Sequence, residues 1–239
     1  LYNYPITEPS DFHDSEFVTI LGAELHSGSA ENGEIWHILA VGLPKDFAPT
    51  NSPNFVSTDN QEIAKISKNY GAHVPFIRPS DLADDTSKEL LSWKHAIQNY
   101  TNNIDCFVSL PCTSPLRNYQ TIEKMIKYYK CNTFDLVLGI TSSNHSPNFN
   151  MVVKNQEGMV NIINKTNEEI NRRQDAEKCY MITTYAYITS IDYIKNCSDL
   201  FTGKVGGFEI AKNESIDIDD EQDFDIASYI YNKNYEHKN

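Results

Sequence analysis

The stretch Ile104-Asp-Cys-Phe-Val-Ser-Leu110 decides the fold class. It is nearly continuous in apolar character, which is typical of a parallel strand that is buried on both faces of its sheet. A helical pattern precedes it over residues 87–100, and another follows over about 119–129. The sequence therefore predicts strands that alternate with helices.

The same alternation extends in both directions along the chain. Strands are predicted at residues 17–21, 54–59, 73–77, 135–141, 185–188 and 206–210, and further helices at 61–71, 191–196 and beyond 220. Alternating strands and helices favour an α/β fold with a doubly wound, mostly parallel sheet. Ligands of such sheets bind beyond the carboxyl ends of the strands, so residues 55–59, 78–87 and 111–117 should gather at one edge.

Composition limits the classes of partner. The chain has 239 residues and a formal charge of −13, which argues against binding to a nucleic-acid backbone. It has no apolar run that would span a membrane and no signal pattern, so we expect a cytoplasmic protein. The odd set of five cysteines has no metal-ligand spacing and indicates free thiols. A single domain over residues 1–239 is expected.

The alternating pattern breaks between about residues 142 and 182. Two short apolar segments, Met151–Lys154 and Met159–Ile163, flank Asn155-Gln-Glu-Gly158 and predict a β-hairpin. A polar segment that contains Arg172 and Arg173 follows. We interpret this region as an excursion from the main sheet.

The segment Ile216-Asp-Ile-Asp219 has two readings. In an extended chain Asp217 and Asp219 project on the same side, and paired carboxylates suit a hard cation such as Mg²⁺. Alternatively the segment is a solvated acidic turn in which Asp219 or Asp220 caps the following helix. The segment by itself favours the capped turn.

Six motifs together resemble the acylneuraminate cytidylyltransferase family, in family order over about residues 55–227. They are Val56–Asp59, Arg78–Thr86, Thr113–Arg117, His145–Met151, Arg172–Asp175 and Ile216–Asp219. The resemblance implies a Rossmann-like nucleotidyltransferase that transfers CMP from CTP to the anomeric hydroxyl of a nonulosonic acid, such as sialic acid, and releases pyrophosphate. It also implies a requirement for Mg²⁺ and a homodimer formed through the hairpin.

The resemblance assigns roles to particular residues. Asp217 and Asp219 would be the catalytic, Mg²⁺-binding pair. Arg117, Arg173 and Gln174 would bind the sugar acid, where a planar guanidinium suits a carboxylate. The nucleotide would be bound by Ser27, Gly28, Ser29, Asp59, Arg78, Ser87, Thr113 and Ser114. Simpler roles compete with these: Asp59 as a helix cap, Arg78 and Arg117 in surface ion pairs, and Thr113-Ser114 as a turn.

The chain departs from the family before Val56. The family has a loop Ala-Arg-x-Gly-Ser-Lys whose cations receive the triphosphate, whereas this chain has Ala23–Ala30 and no Lys or Arg before Lys45. Three explanations stay open. The protein is a weakened catalyst that binds nucleotide or sugar acid or acts as a dimerising partner; or residues 1–54 do not correspond to the family's own N-terminal part, for instance through a frameshift; or another loop supplies the cations. Another 2-keto-3-deoxy sugar acid as substrate is a further alternative.

Overall fold

The computed structural model describes residues 56–69, 74–83, 87–99, 106–165, 170 and 172–236. The helices are α1 (Gln61–Asn69), α2 (Glu89–Gln98), α3 (Tyr119–Cys131), α4 (Ile191–Asn196) and α5 (Glu221–Glu236), with short 3₁₀ turns at Ser80–Leu82 and Arg173–Asp175. The strands are β1 (Phe107–Ser109), β2 (Leu136–Ser142), β3 (Val152–Lys154), β4 (Val160–Ile162), β5 (Tyr180–Thr189) and β6 (Val205–Glu209).

Four strands form the main sheet in the order β1-β5-β2-β6. Strands β2 and β6 are parallel, and β5 is antiparallel to both β1 and β2, so β1, β2 and β6 share one direction. A parallel bridge between Thr58 and Ile77 joins the two strands predicted at 54–59 and 73–77. The predicted α/β class is confirmed, and the four-stranded sheet is mixed: β5 is antiparallel to both of its neighbours, and only β2 and β6 pair in parallel.

The direction of β5 follows from the excursion. Strand β2 ends at Ser142, which is paired with Tyr180, the first residue of β5. The chain thus returns to the sheet at the carboxyl end of β2, where it left, without the crossover helix that a parallel neighbour requires. β5 must therefore run back against β2.

Apolar side chains cover both faces of the sheet, as the doubly wound prediction requires. One cluster packs α3 residues Ile122 and Met125 against Val137 and Ile188 of the sheet. The other packs α2 and α4, through Trp93 and Ile194, against strand residues that include Leu136, Leu138 and Tyr187. Alternate residues of β2 point to opposite clusters, as the period of a strand demands.

Two helix starts differ from the sequence prediction. The cap of α1 is Asn60 instead of Asp59, since its side-chain oxygen accepts the amide hydrogens of Glu62 and Ile63 at 2.7 and 3.1 Å. Helix α2 begins at Glu89 instead of Ser87, and the Ser87 hydroxyl donates to the Asp81 carbonyl at 2.9 Å. Asp59 and Ser87 are thus held by other contacts.

The predicted hairpin is confirmed as a separate two-stranded sheet of β3 and β4. Gly158 in its turn has a φ of 86°, which favours glycine, and the Asn155 side chain accepts the amide hydrogens of Glu157 and Met159. Among the described helices, none is long and apolar enough to cross a membrane.

Candidate functional site

Several loops meet at one edge of the main sheet. Because β1, β2 and β6 share a direction, their carboxyl ends open onto the segments 110–117, 143–150 and 210–219. The segment 172–179 arrives at the same edge, since it leads into the start of β5. This is where a sheet of this class binds its ligands.

Thr113 and Ser114 form a buried part of this edge, with 4% and 0% of their surfaces exposed. The Thr113 and Ser114 hydroxyls lie 3.3 and 2.6 Å from the Thr184 hydroxyl of β5. The Thr113 carbonyl accepts the amide hydrogen of Ile218 at 2.9 Å. This bond joins the loop after β1 to the segment that carries Asp217, which the sequence predicted as separate parts of one site.

Asp217 and Asp219 occupy different environments. The Asp217 Oδ1 atom is buried and has no hydrogen-bond partner among the described residues, whereas Asp219 is exposed. The helix cap of α5 uses a third acid: the Asp220 side chain accepts the amide hydrogen of Asp223 at 2.9 Å, and the Asp223 carboxylate accepts that of Asp219 at 3.2 Å. The capped-turn reading therefore holds for Asp220, and the metal-binding role of Asp217 and Asp219 stays a prediction.

The donor atoms here fit a hard divalent cation. A buried carboxylate oxygen without a partner is costly unless a cation or a donor approaches it, and Mg²⁺ favours one or two carboxylates together with waters and substrate phosphates. The described residues contain no group of three or more His, Cys, Asp or Glu that would form a complete protein cage. The donor atoms thus fit a cation that would be shared with a ligand, and Asp217 and Asp219 would be the residues that hold it.

Arg117 is the last residue of the 111–117 loop. Its guanidinium donates to the backbone carbonyls of Pro111, Thr184 and Tyr185. Burial lowers the pKa of Arg117 to about 10, and nearby groups that include Asp217 and Glu89 oppose this effect. These contacts tie the loop to β5 and correct the alternative of a surface ion pair. A direct contact of Arg117 with the sugar acid stays a prediction.

Asp59 and Arg78 contact each other. One Arg78 Nη atom lies 3.4 Å from Asp59 Oδ1, the other donates to the Ser92 hydroxyl at 3.2 Å, and the Arg78 side chain is only 10% exposed. The Arg78 Nε and the hydroxyl of buried Ser57 have no hydrogen-bond partner among the described residues. Asp59 and Arg78, which were both expected to bind nucleotide, are therefore brought together, and Arg78 Nε keeps a donor without a partner.

A polar cleft of about 440 Å³ contains Arg173 and Gln174. It is lined by residues 142–146, Asn150, 173–174 and 176–179. The Asn144 side-chain oxygen accepts hydrogen bonds from Arg173 and, at 3.3 Å, from Lys212. A neutral amide oxygen is a weak partner for two cations, so this end of the cleft favours an anion.

The predicted nucleotide-binding residues Ser27, Gly28 and Ser29 lie outside the described residues, as does Lys45.

Four residues of this edge were not predicted from the sequence, namely Asn144, Tyr185, Lys212 and Glu214. Lys212 and Glu214 precede the aspartate pair by a few residues, so their proximity in sequence was a usable signal. Tyr185 reads as an ordinary apolar strand residue, and only its contacts reveal that its hydroxyl reaches Glu214.

The fold and the contacts together define an α/β protein in which charged and polar side chains gather at the carboxyl ends of the parallel strands. The chain belongs to the cytidylyltransferase family, whose model matches residues 49–237. This confirms the family resemblance and the nucleotidyltransferase class, and the match leaves out the divergent first 48 residues.

Curated relatives span most of the same region. The chain is 29% identical over 179 residues to post-translational flagellin modification protein B of Campylobacter coli, covering 73% of this chain and 75% of the relative. It is 27% identical over 180 residues to CMP-N,N'-diacetyllegionaminic acid synthase of Campylobacter jejuni, covering 73% and 75%. It is 25% identical over 170 residues to N-acylneuraminate cytidylyltransferase of Streptococcus agalactiae, covering 71% of this chain and 40% of that longer protein.

Proposed function

We propose that this cytidylyltransferase transfers CMP from CTP to the anomeric hydroxyl of a nonulosonic acid. The anomeric oxygen forms a bond to the α-phosphorus of CTP, the bond from that phosphorus to the bridging oxygen of pyrophosphate breaks, and the hydroxyl proton leaves to solvent. Two relatives carry names that refer to sugar acids of this class, legionaminic and neuraminic acid. Their names support the proposed substrate class.

The observation that carries the proposal is the hydrogen bond from the Ile218 amide to the Thr113 carbonyl at 2.9 Å. It sets the Asp217 carboxylate beside the loop that is expected to bind nucleotide. Mg²⁺ bound by Asp217 and Asp219 would neutralise phosphate charge and polarise the α-phosphoryl group. Because the protein supplies little covalent chemistry, the rate depends on alignment and charge.

The chain's own residues divide the remaining tasks. Thr113 and Ser114 lie at the edge where the nucleotide would bind, and the Arg78 and Asp59 pair would line its cytidine side. Arg173, Gln174 and Lys212 would hold the sugar acid, with the carboxylate replacing Asn144 as the partner of the two cations. This arrangement would direct the anomeric hydroxyl toward the phosphate.

A homodimer is part of the proposal. The hairpin exposes six large apolar residues, Met151, Val152, Val153, Met159, Val160 and Ile163, each at 40% or more. An exposed apolar patch of this kind is typical of a protein interface. A second copy of the chain is the expected partner, and a cytoplasmic location fits an enzyme that uses CTP.

This function is tested by measuring the release of pyrophosphate from CTP in the presence of Mg²⁺. Sialic, legionaminic, pseudaminic and ketodeoxyoctonic acids are each supplied as the acceptor. We expect release with a nonulosonic acid, and we expect Asp217→Asn to lower kcat by about 100-fold or more because the amide binds a cation poorly. Asp225→Asn, on the exposed surface of α5, is the matched control and should retain full activity.

A second function, binding without turnover, is favoured by the absence of Lys or Arg before Lys45. The loss of phosphate-binding cations would weaken transition-state binding by several kcal/mol. Calorimetry with CTP and with each sugar acid distinguishes the two. Binding of CTP or of a sugar acid, without pyrophosphate release in the presence of any of the acids, would reject the enzymatic proposal and support the binding role. Pyrophosphate release with ketodeoxyoctonic acid alone would replace the proposed substrate class.

A further inference from the structure

The chain around Asp217 is fixed on both sides. On the carboxyl side the Ile218 amide donates to the Thr113 carbonyl, and on the amino side Glu214 contacts two hydroxyl groups. A tight turn fixes Glu214 itself, since its amide donates to the Ala211 carbonyl at 2.9 Å. Asp217 lies between these two anchored points.

The Glu214 carboxylate is anchored on the core of the protein. Its Oε2 atom lies 3.1 Å from the hydroxyl of Tyr185 and 3.0 Å from that of Thr121. Tyr185 is completely buried, and burial raises the pKa of its hydroxyl, which therefore remains a donor. Thr121 belongs to the first turn of α3. Strand β5, through Tyr185, and helix α3, through Thr121, thus hold the Glu214 carboxylate.

The single proton of the Tyr185 hydroxyl has two acceptors within reach, Glu214 and the Asn118 carbonyl, each at 3.1 Å. The Asn118 carbonyl already accepts amide hydrogens from Thr121 and Ile122 at 3.0 and 3.2 Å. A carboxylate is also the stronger acceptor. The proton is therefore donated to Glu214, while the Asn118 amide donates to the Tyr185 oxygen at 2.8 Å.

Tyr185 also holds Arg117, the cation that interacts electrostatically with Asp217. Its carbonyl accepts from Arg117 Nε, and its ring centre lies 6.0 Å from the guanidinium carbon. One buried residue thus connects the Glu214 anchor to the charge beside Asp217. Displacement of Glu214 would release the segment on which the Asp217 carboxylate is held.

We propose that Glu214, held by Tyr185 and Thr121, is a positioning residue that places the Asp217 carboxylate for the divalent cation. The inference rests on the proposed function. It assigns Glu214 no contact with substrate. Its role is to keep the Asp217 oxygens at a fixed distance from the loop that carries Thr113, because a cation shared with phosphates requires fixed ligands.

The first test measures amide hydrogen exchange by NMR and needs neither metal nor nucleotide. In Glu214→Ala we expect the Ile218 amide to exchange at least about tenfold faster, because the segment opens locally. Glu214→Gln retains an oxygen that accepts both hydroxyl hydrogens and should stay within about twofold of wild type. The Ile194 amide, which donates to the Ser190 carbonyl at the start of α4, is the internal control and should not change.

The second test is the Mg²⁺ concentration that gives half-maximal pyrophosphate release. It should rise about tenfold in Glu214→Ala, with an unchanged KM for the sugar acid, and recover in Glu214→Gln. Tyr185→Phe removes the hydroxyl alone and serves if the alanine variant fails to fold. A wild-type exchange rate for Ile218 in Glu214→Ala, or in Tyr185→Phe where the alanine variant does not fold, would overturn the proposal, as would equal impairment by Gln and Ala. A wild-type protein without pyrophosphate release would reject the proposed function and leave the exchange comparison valid.

Discussion

Arg117 shows at the scale of one residue how the site depends on buried charge. The guanidinium is held by three backbone carbonyls, and carboxylates of Asp217 and Glu89 act on it from nearby. Its pKa, lowered by burial to about 10, still leaves it charged at neutral pH. The residue therefore supports the 111–117 loop as a permanent cation.

Replacement of Arg117 by Met should destabilise the protein. The three carbonyls would lose their donors, and we expect a loss of about 3 kcal/mol in the free energy of unfolding, measured by urea denaturation. Arg172→Met is the control, because Arg172 is 67% exposed and pairs with Asp175 on the surface, which should contribute about 0.5 kcal/mol or less. Equal losses in both variants would contradict the scaffold role.

At the scale of elements, the close pairing of β2 with β5 depends on Gly139. The register of the two strands shifts between Leu138 and Ile140, on either side of this glycine. A Cβ atom at Gly139 would lie 2.6 Å from the Thr183 hydroxyl oxygen and 3.1 Å from Tyr185 Cβ. Both neighbours are buried, so neither side chain can move aside at low cost.

Gly139→Ala should therefore cost about 2 kcal/mol of stability through overpacking, as read from the urea midpoint. It should also reduce activity, because β5 carries Thr184 and Tyr185 into the site. Gly158→Asn is the control: Gly158 has a positive φ that Asn tolerates, and open space surrounds most of its Cβ position. A stable, active Gly139→Ala protein would show that the strands can separate without consequence.

At the scale of the whole molecule, the hairpin of β3 and β4 presents the surface that the proposed homodimer would bury. A two-stranded hairpin is marginal alone, and here its apolar side chains are exposed on a separate small sheet. Burial between two copies of the chain would remove this surface from water. The predicted homodimer would account for the composition of the hairpin.

Val160→Asp should convert the dimer to a monomer in light scattering, since a carboxylate at the centre of an apolar interface would be buried without a partner. Phe201→Asp is the matched control. Both residues are 58% exposed, but Phe201 lies outside the hairpin and its variant should remain dimeric. A wild-type monomer at micromolar concentration, or a dimeric Val160→Asp variant, would reject this interface.

Much of the site was predictable because its motifs are local in sequence. The Thr113-Ser114 loop, the Arg173-Gln174 turn and the Asp217 segment each follow or precede a strand, and strand order brings them to one edge. The capped-turn reading offered Asp219 or Asp220 as the cap of α5, and the structure selects Asp220, because capping depends on which backbone amides a carboxylate reaches. Only the tertiary structure makes that choice.

The sequence by itself determined the α/β class, the hairpin, the family and the segments that form the site, since periodicity, turn residues and motif order are properties of the chain. The tertiary structure alone decided the antiparallel course of β5, the burial of Arg117 and the partnership of Tyr185 with Glu214. These features depend on contacts between residues that are about 30 to 70 positions apart, and no local pattern encodes such contacts.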